Sequence, residues 1–306
     1  MSQPMTRAGR MRSWLWIWPL LAWSVLTGPT ALAAQRYPAF GIVLKMQPPR
    51  TIVVSCAEIP HFMPAMRKTL SAADASDLAA LQQGSMIDFT LLADPEAPLA
   101  EHIRIHHYQS PDAEPLAVKR MELLGKVLAP ESGKELLAVG QPVPDFALTD
   151  QHGQPVRLSE FAGKTVALSF LYTRCPFANY CFRLANNFGR VDRRFAGRMN
   201  KDLVLLSVSF DPQNDSPAVL LKYASTWKES TGGWYFLTGP VPDIRRVCHL
   251  FGMSVWSDEG MLAHSMHTVV IDRDGKLVAN LEGNEFTAEQ LEDLIQSVMD
   301  GSPAGK

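Results

Sequence analysis

One apolar run constrains the fold more than any other feature of the chain. Residues 166–172, Val-Ala-Leu-Ser-Phe-Leu-Tyr, read as a continuous strand, and helical periodicity begins again at Phe182. Between them lies Thr173-Arg174-Cys175-Pro176. A cysteine at a strand end, ahead of a helix, sits near the helix N-terminus, where the partial positive charge favours the thiolate. Thiolates attack disulfides and bind soft metals. A second cysteine, Cys181, follows after five intervening residues. On a continuous α-helix six positions rise about 9 Å and turn the two side chains to different faces. The pair could then share neither a metal nor a disulfide, whose Cα atoms lie within about 7 Å. A working pair requires residues 176–180 to form a loop, which Pro176 and Asn179 suit. The plain alternative is one structural thiol and one core thiol.

The pattern around this run alternates strand and helix. Strand signals fall at 146–148, 156–158, 166–172, 203–210, 269–271 and 277–281. Helical periodicity falls at 182–195, 217–227, 241–251 and 288–299. Asp150-Gln-His-Gly153 and Asp272-Arg-Asp-Gly275 are hairpin signals. The order βαβα, then a hairpin and a last helix, predicts a thioredoxin-like α/β domain over 139–303.

Ahead of it, residues 36–108 show apolar runs at 41–46, 51–55, 86–92 and 103–107, with a short helix expected at 71–81. Short strands with one small helix predict a small all-β, OB-like barrel. Residues 109–138 read as a linker opened by turn residues, with a brief helix expected at 121–128. Residues 1–34 read as a secretory signal peptide. Arg7, Arg10 and Arg12 precede an apolar run of 13 residues, and Ala31-Leu32-Ala33 supplies the cleavage pattern. The run is short for a membrane span, which needs about 20 residues. Export, to a periplasm, is the expectation, with an uncleaved N-terminal anchor as the alternative. The net charge of −2 gives no basic field that would argue for nucleic acid.

Several motifs in residues 140–301 resemble the Sco/SenC family of thioredoxin-like copper proteins. They are Pro142-Val-Pro-Asp-Phe-Ala-Leu148, Gly163-Lys164, Tyr172-Thr-Arg-Cys-Pro176, Ser207-Val-Ser-Phe-Asp-Pro212 with Asp215-Ser-Pro217, Phe236-Leu-Thr-Gly239, and Ala263-His-Ser265 before Val270-Ile-Asp-Arg-Asp-Gly275. The resemblance implies a copper site made of Cys175, Cys181 and His264. The chain departs from the family in one respect: five residues separate the cysteines where three are usual. In a thioredoxin fold the loop before the hairpin strand lies beside the cysteines and usually carries a cis-proline. Here Met266-His267-Thr268 stands there instead. Two thiolates and an imidazole form a soft set suited to Cu(I) that also holds Cu(II). His267 reads more readily as a surface or core histidine than as a ligand, and Cys248 as a small buried hydrophobe.

Residues 37–107 resemble the CusF-like copper-binding barrel, on the segment Cys56-Ala-Glu-Ile-Pro-His-Phe-Met-Pro-Ala-Met66. Cys56 stands where that family has its histidine, Met63 and Met66 match two of its methionines, and Lys68 replaces the last. The resemblance implies a second soft site of Cys56, Met63 and Met66, or a docking module that no longer binds metal.

The function expected is that of an exported copper-binding protein delivering copper to a receiving protein such as a respiratory oxidase subunit. The alternative is a thiol–disulfide reductase, served by a thiol reductant, that keeps a target's copper-ligand cysteines reduced. Cys175 would then attack and Cys181 resolve. A thiol peroxidase would need proline and threonine seven and three residues before the reactive cysteine, where Leu168 and Tyr172 stand. A purely structural disulfide is the remaining reading.

Overall fold

The computed structural model describes residues 35–93, 98–108, 136–227, 232–258 and 261–301. The expected signal segment and the helix at 121–128 lie outside them. The first sheet contains β1 (Arg36–Gln47), β2 (Thr51–Cys56), β3 (Met66–Ala72), β4 (Met86–Leu92) and β5 (Leu99–Ile105). It forms a closed barrel in the order β1-β2-β3-β5-β4, with β4 returning antiparallel to β1 and a short parallel β3–β5 pair. The helix expected at 71–81 is a correction. Ser71 and Ala72 end β3, and only Ala75–Leu78 forms a 3₁₀ turn, capped by the Asp74 carboxylate accepting from Ser76 N–H at 2.8 Å. Serine, alanine and aspartate fitted a helix start, but pairing with β2 won.

The second sheet has the order β10-β9-β8-β13-β14. Its members are β8 (Thr165–Leu171), β9 (Leu203–Ser209), β10 (Trp234–Leu237), β13 (His267–Ile271) and β14 (Leu277–Glu282). Strands β8, β9 and β10 are parallel, while β13 and β14 run antiparallel to the strands beside them. Two small hairpins complete the strands: β6 (Ala147–Thr149) with β7 (Pro155–Arg157), and β11 (Val255–Asp258) with β12 (Met261–His264). The helices are α1 (Arg183–Arg194), α2 (Pro217–Trp227), α3 (Val241–Leu250) and α4 (Ala288–Gly301).

The two-residue period of a strand distributes the core. Ala167 and Leu171 of β8 and Leu205 of β9 face a cluster with α1, α2 and α4. Leu168, Phe170 and Tyr172 face a second cluster with α3, and both Cys175 and Cys181 belong to it. Strand β1 carries two faces of its own. Val43 fills the barrel, whereas Ile42 and Leu44, with Met86, join the first α/β cluster. Burial on both sides explains why Gly41-Ile-Val-Leu44 is continuously apolar rather than alternating. Polar ties reinforce the seam. Asp293 of α4 accepts from Ser55 Oγ and Arg67 Nε, each at 2.7 Å, and Gln290 Nε2 donates to the Ser55 carbonyl at 3.0 Å. Barrel and α/β layer therefore share a core within one compact unit.

Candidate functional site

Strand β8 ends in the middle of the sheet, and the residues after it are held by carboxylates that follow β9. Asp215 is fully buried. It accepts from Thr173 N–H at 3.1 Å, Thr173 Oγ1 at 2.5 Å and Ser209 Oγ at 2.6 Å. Asp211 accepts from Arg174 Nε and Nη2 at 3.2 and 2.8 Å, and from Asn214 Nδ2 at 2.8 Å. The two residues before Cys175 are thus fixed by the Asp-Pro…Asp segment. Sequence reasoning quoted that segment as a family motif without assigning it this task. The signal available was a run of polar residues, Thr173-Arg174 and Asp211 to Asp215, at the ends of two apolar strands.

The loop expected over residues 176–180 is only partly a loop: Pro176 and Phe177 lie outside any helix, whereas residues 178–180 are already helical. It turns through residues 173–177 and then enters a single π-helical turn, Ala178–Phe182, which leads into α1. A π turn advances more residues per turn than an α-helix and so absorbs an inserted spacing. Both thiols are free and buried. The Cys175 thiol is held well below its usual range. The Cys181 thiol donates to it; burial opposes; His264 and the backbone at Phe177 add further hydrogen bonds. Cys181 is pushed the other way, because it supplies the proton of that bond and is itself desolvated. The Tyr172 phenol is pushed up to about 12 by burial and by the charge on Cys175. The two thiols are thus pushed in opposite directions, Cys175 toward the thiolate and Cys181 toward the thiol.

Unequal reactivity follows, because the thiolate is the nucleophile. Brief treatment of native protein with iodoacetamide near neutral pH is expected to alkylate Cys175 first. Cys56 and Cys248 should stay unmodified, since burial pushes each thiol up to about 12. Peptide mass spectrometry reads the order, and labelling of Cys181 ahead of Cys175 would contradict it.

His264 reaches the same place from the β11–β12 hairpin, an element absent from the sequence reading. Its Nδ1 lies 2.8 Å from the Ser265 carbonyl oxygen. A carbonyl only accepts, so Nδ1 carries a proton and, in the neutral ring, Nε2 keeps its lone pair for a metal. The ring sits edge-on to Tyr172 at 5.9 Å and tilted against Phe210 at 4.6 Å. Cys175 and Cys181 share one buried cluster with Tyr172 and Phe210, the two rings that pack against His264, so the three donors are gathered in one place. Among the described residues no three such groups are already closed around a common point. Chemically the set suits a soft ion: a polarisable thiolate, a second thiol that can lose its proton to a metal, and an imidazole in the ligating tautomer.

His267 is a core histidine. Its Nδ1 pairs with Asn280 Oδ1 at 2.9 Å, Asn280 in turn donates to the Phe251 carbonyl, and burial holds the imidazole below its usual range. Cys248 is packed in α3.

In the barrel, Cys56 and Met66 are partners across β2 and β3, and Met63 packs in the same apolar cluster as Cys56. Cys56 is completely buried, while Met66 is 44% exposed at the barrel's end. Lys68 lies close enough to act on the Cys56 thiol, but burial dominates and keeps it protonated. An ion there would have to displace that proton beside a lysine.

The family model described as SCO1/SenC matches residues 136–300. The chain is similar to the SCO1 protein homolog of Bacillus subtilis, 27% identical over 164 residues, covering 52% of this chain and 82% of the relative. It is also similar to Protein sco1 of Schizosaccharomyces pombe, 27% identical over 184 residues, covering 56% of this chain and 67% of the relative. Among solved structures, Bradyrhizobium japonicum ScoI with copper bound is 25% identical with a TM-score of 0.44, covering 53% of this chain and 99% of that one.

Proposed function

This chain belongs to the SCO1/SenC family, and from that premise we propose that it is an exported copper-binding protein. It holds Cu(I) at Cys175, Cys181 and His264 and delivers it to a receiving protein, such as the copper-bearing subunit of a respiratory oxidase. The observation that carries this reading is the burial of Cys175 and Cys181 in one cluster whose Tyr172 and Phe210 rings also pack against the His264 imidazole. Cu(I) accepts two sulfurs and an imidazole, and its binding would release the Cys181 proton.

Anaerobic Cu(I) titration against a competing chelator tests it. Loss of a supporting residue around a metal costs about 10–100-fold in affinity, and loss of a direct ligand should exceed that. Cys175→Ser is therefore expected to lower affinity by more than about 100-fold, with His264→Ala also weakened. Equal affinity for wild type and both variants at this site would refute the ligand set. The titration needs Cys56→Ser in the background, because the barrel is the second proposed copper position. The strand order of the barrel and its parallel β3–β5 closure support an OB-like, CusF-like domain over 36–108. The pairing of Cys56 with Met66 supports a weaker site there, completed by Met63.

The asymmetry of the thiols favours a second reading, a thiol–disulfide reductase. The Cys175 thiolate would attack a target disulfide and release one target thiolate. Cys181 would then give up its proton and attack Cys175, releasing the second target thiol and leaving a Cys175–Cys181 disulfide. A thiol reductant must return the pair to its dithiol form. Export rests on the sequence pattern of residues 1–34. Among the described residues no helix is long and apolar enough to cross a membrane.

A further inference from the structure

The turn between β14 and α4 touches the cysteine loop on one side and the barrel on the other. On the first side, the Asn284 amide donates to the Asn179 carbonyl, two residues before Cys181. Arg183 Nη2 donates to the Glu285 and Phe286 carbonyls at 3.1 and 3.4 Å, and Asn187 Nδ2 to Phe286 at 3.4 Å. Those donors lie in the first two turns of α1, directly after Cys181. On the second side, the His106 ring lies between two carboxylates. Nδ1 is 2.8 Å from Asp88 of β4, and Nε2 is 2.6 Å from Glu285. Tyr108 lies over Gly283 so closely that a Cβ there would stand 2.2 Å from its ring.

We propose that the barrel is a brace for the cysteine loop: His106 and Tyr108 seat the 283–286 turn, and through Asn284 that turn fixes the loop that separates the Cys175 and Cys181 sulfurs. His106, Asn284 and Glu285 are positioning residues. The need for them lies in the spacing. A five-residue connection has more conformations to lose than a three-residue one, and Pro176, Phe177 and Asn179 are exposed. The tie at Asn179 falls at the part of the loop with least cover.

The brace is also sensitive to pH. A ring with both nitrogens on carboxylates donates from both, which requires the imidazolium. Burial works against that charge, but the hydrogen bonds and charges of Asp88 and Glu285 outweigh it and hold His106 above its usual range. Asp88 and Glu285 are the charged groups that face the ring, and Phe40 of β1 packs edge-on at 4.9 Å. A raised value in the folded state means the contribution is complete below the unfolded pKa, about 6.5, and is lost as pH rises through the folded one. The seat loosens toward alkaline pH.

Hydrogen–deuterium exchange on the metal-free full chain tests the brace. In His106→Gln and in Asn284→Ala, the amides of residues 177–183 within the 176–183 segment should exchange severalfold faster, while β8 and β9 keep their protection. The double variant should be no faster than the quicker single one, because both act along one chain of contacts. Exchange of this segment, normalised to the unstructured rate, should step up with pH in wild type and not in His106→Gln. Asn284→Ala leaves the barrel contact in place and answers the question even where His106→Gln unseats the barrel. Unchanged exchange at 176–183 in both singles overturns the proposal. Its consequence for copper rests on the site reading above, and the two are separable. Cu(I) affinity should fall about 10-fold in either variant. If wild type binds no Cu(I) and the loop still loosens, the brace stands and the copper reading falls. If wild type binds Cu(I) and both variants match it in exchange and affinity, the brace falls alone.

Discussion

Replacing Asp215 by alanine is expected to cost about 3 kcal/mol of stability and to weaken the cysteine site with it. The carboxylate is fully buried and accepts three hydrogen bonds, two from Thr173 and one from Ser209. Alanine leaves those donors without an acceptor, and a buried unpaired polar group costs about 1–3 kcal/mol. Both Thr173 bonds are lost together, and Thr173 lies two residues before Cys175, so the damage reaches the thiols. Asparagine makes a controlled comparison. Its oxygen can still serve Thr173 N–H and Ser209, and its amide can donate to a rotated Thr173 hydroxyl. Asp215→Asn should therefore lose less than half as much. Urea unfolding measures both, and iodoacetamide labelling reports the preference for Cys175. A midpoint for Asp215→Ala equal to wild type would show that the network does not hold the loop.

Gly84→Val should separate the unfolding of the barrel from that of the α/β layer. Gly84 has φ +86°, and a Cβ there would lie 2.3 Å from Ala279 Cβ and 3.1 Å from Ala279 Cα. The barrel turn is pressed directly onto β14. A β-branched residue at positive φ costs about 1–3 kcal/mol in backbone strain, and overpacking adds about 1–3 kcal/mol. Gly275 is the control, since it has φ +75° but nothing within 4 Å of an added Cβ. Gly275→Val should carry only the backbone cost and keep one calorimetric transition. Gly84→Val should melt lower and in two steps. A single transition no lower than that of the control would mean that the seam tolerates the insertion.

The α/β half was legible because its signals were local. Strands such as residues 203–210 and helices such as 217–227 announce themselves by period, and the observed elements fall within a residue or two. Strand β10 and the β11–β12 hairpin were missed. Trp234–Leu237 is four residues long, and a short strand carries too little alternation to read. The hairpin that delivers His264 has no Asn-Gly or Asp-Gly turn to mark it. In the barrel, β3 was concealed by Met66-Arg-Lys-Thr, whose polar residues belong to an outer face and a barrel end. The cysteine pair and His264 were visible as chemistry. Their meeting was not, because it depends on Asp215, Ser265 and Asn284, residues far apart in sequence whose hydrogen bonds exist only after folding. The seam was illegible for the same reason: nothing in Ile42 or Leu44 says which of two cores it will fill.

That seam bears on how such a chain can change over time. The side of the α/β layer that receives Ile42, Leu44 and Met86 is greasy because a neighbour covers it. A descendant that discarded the first hundred residues would keep the sulfur chemistry and inherit a sticky flank. Divergence into a free-standing module would therefore require polar replacements along α4 and β14.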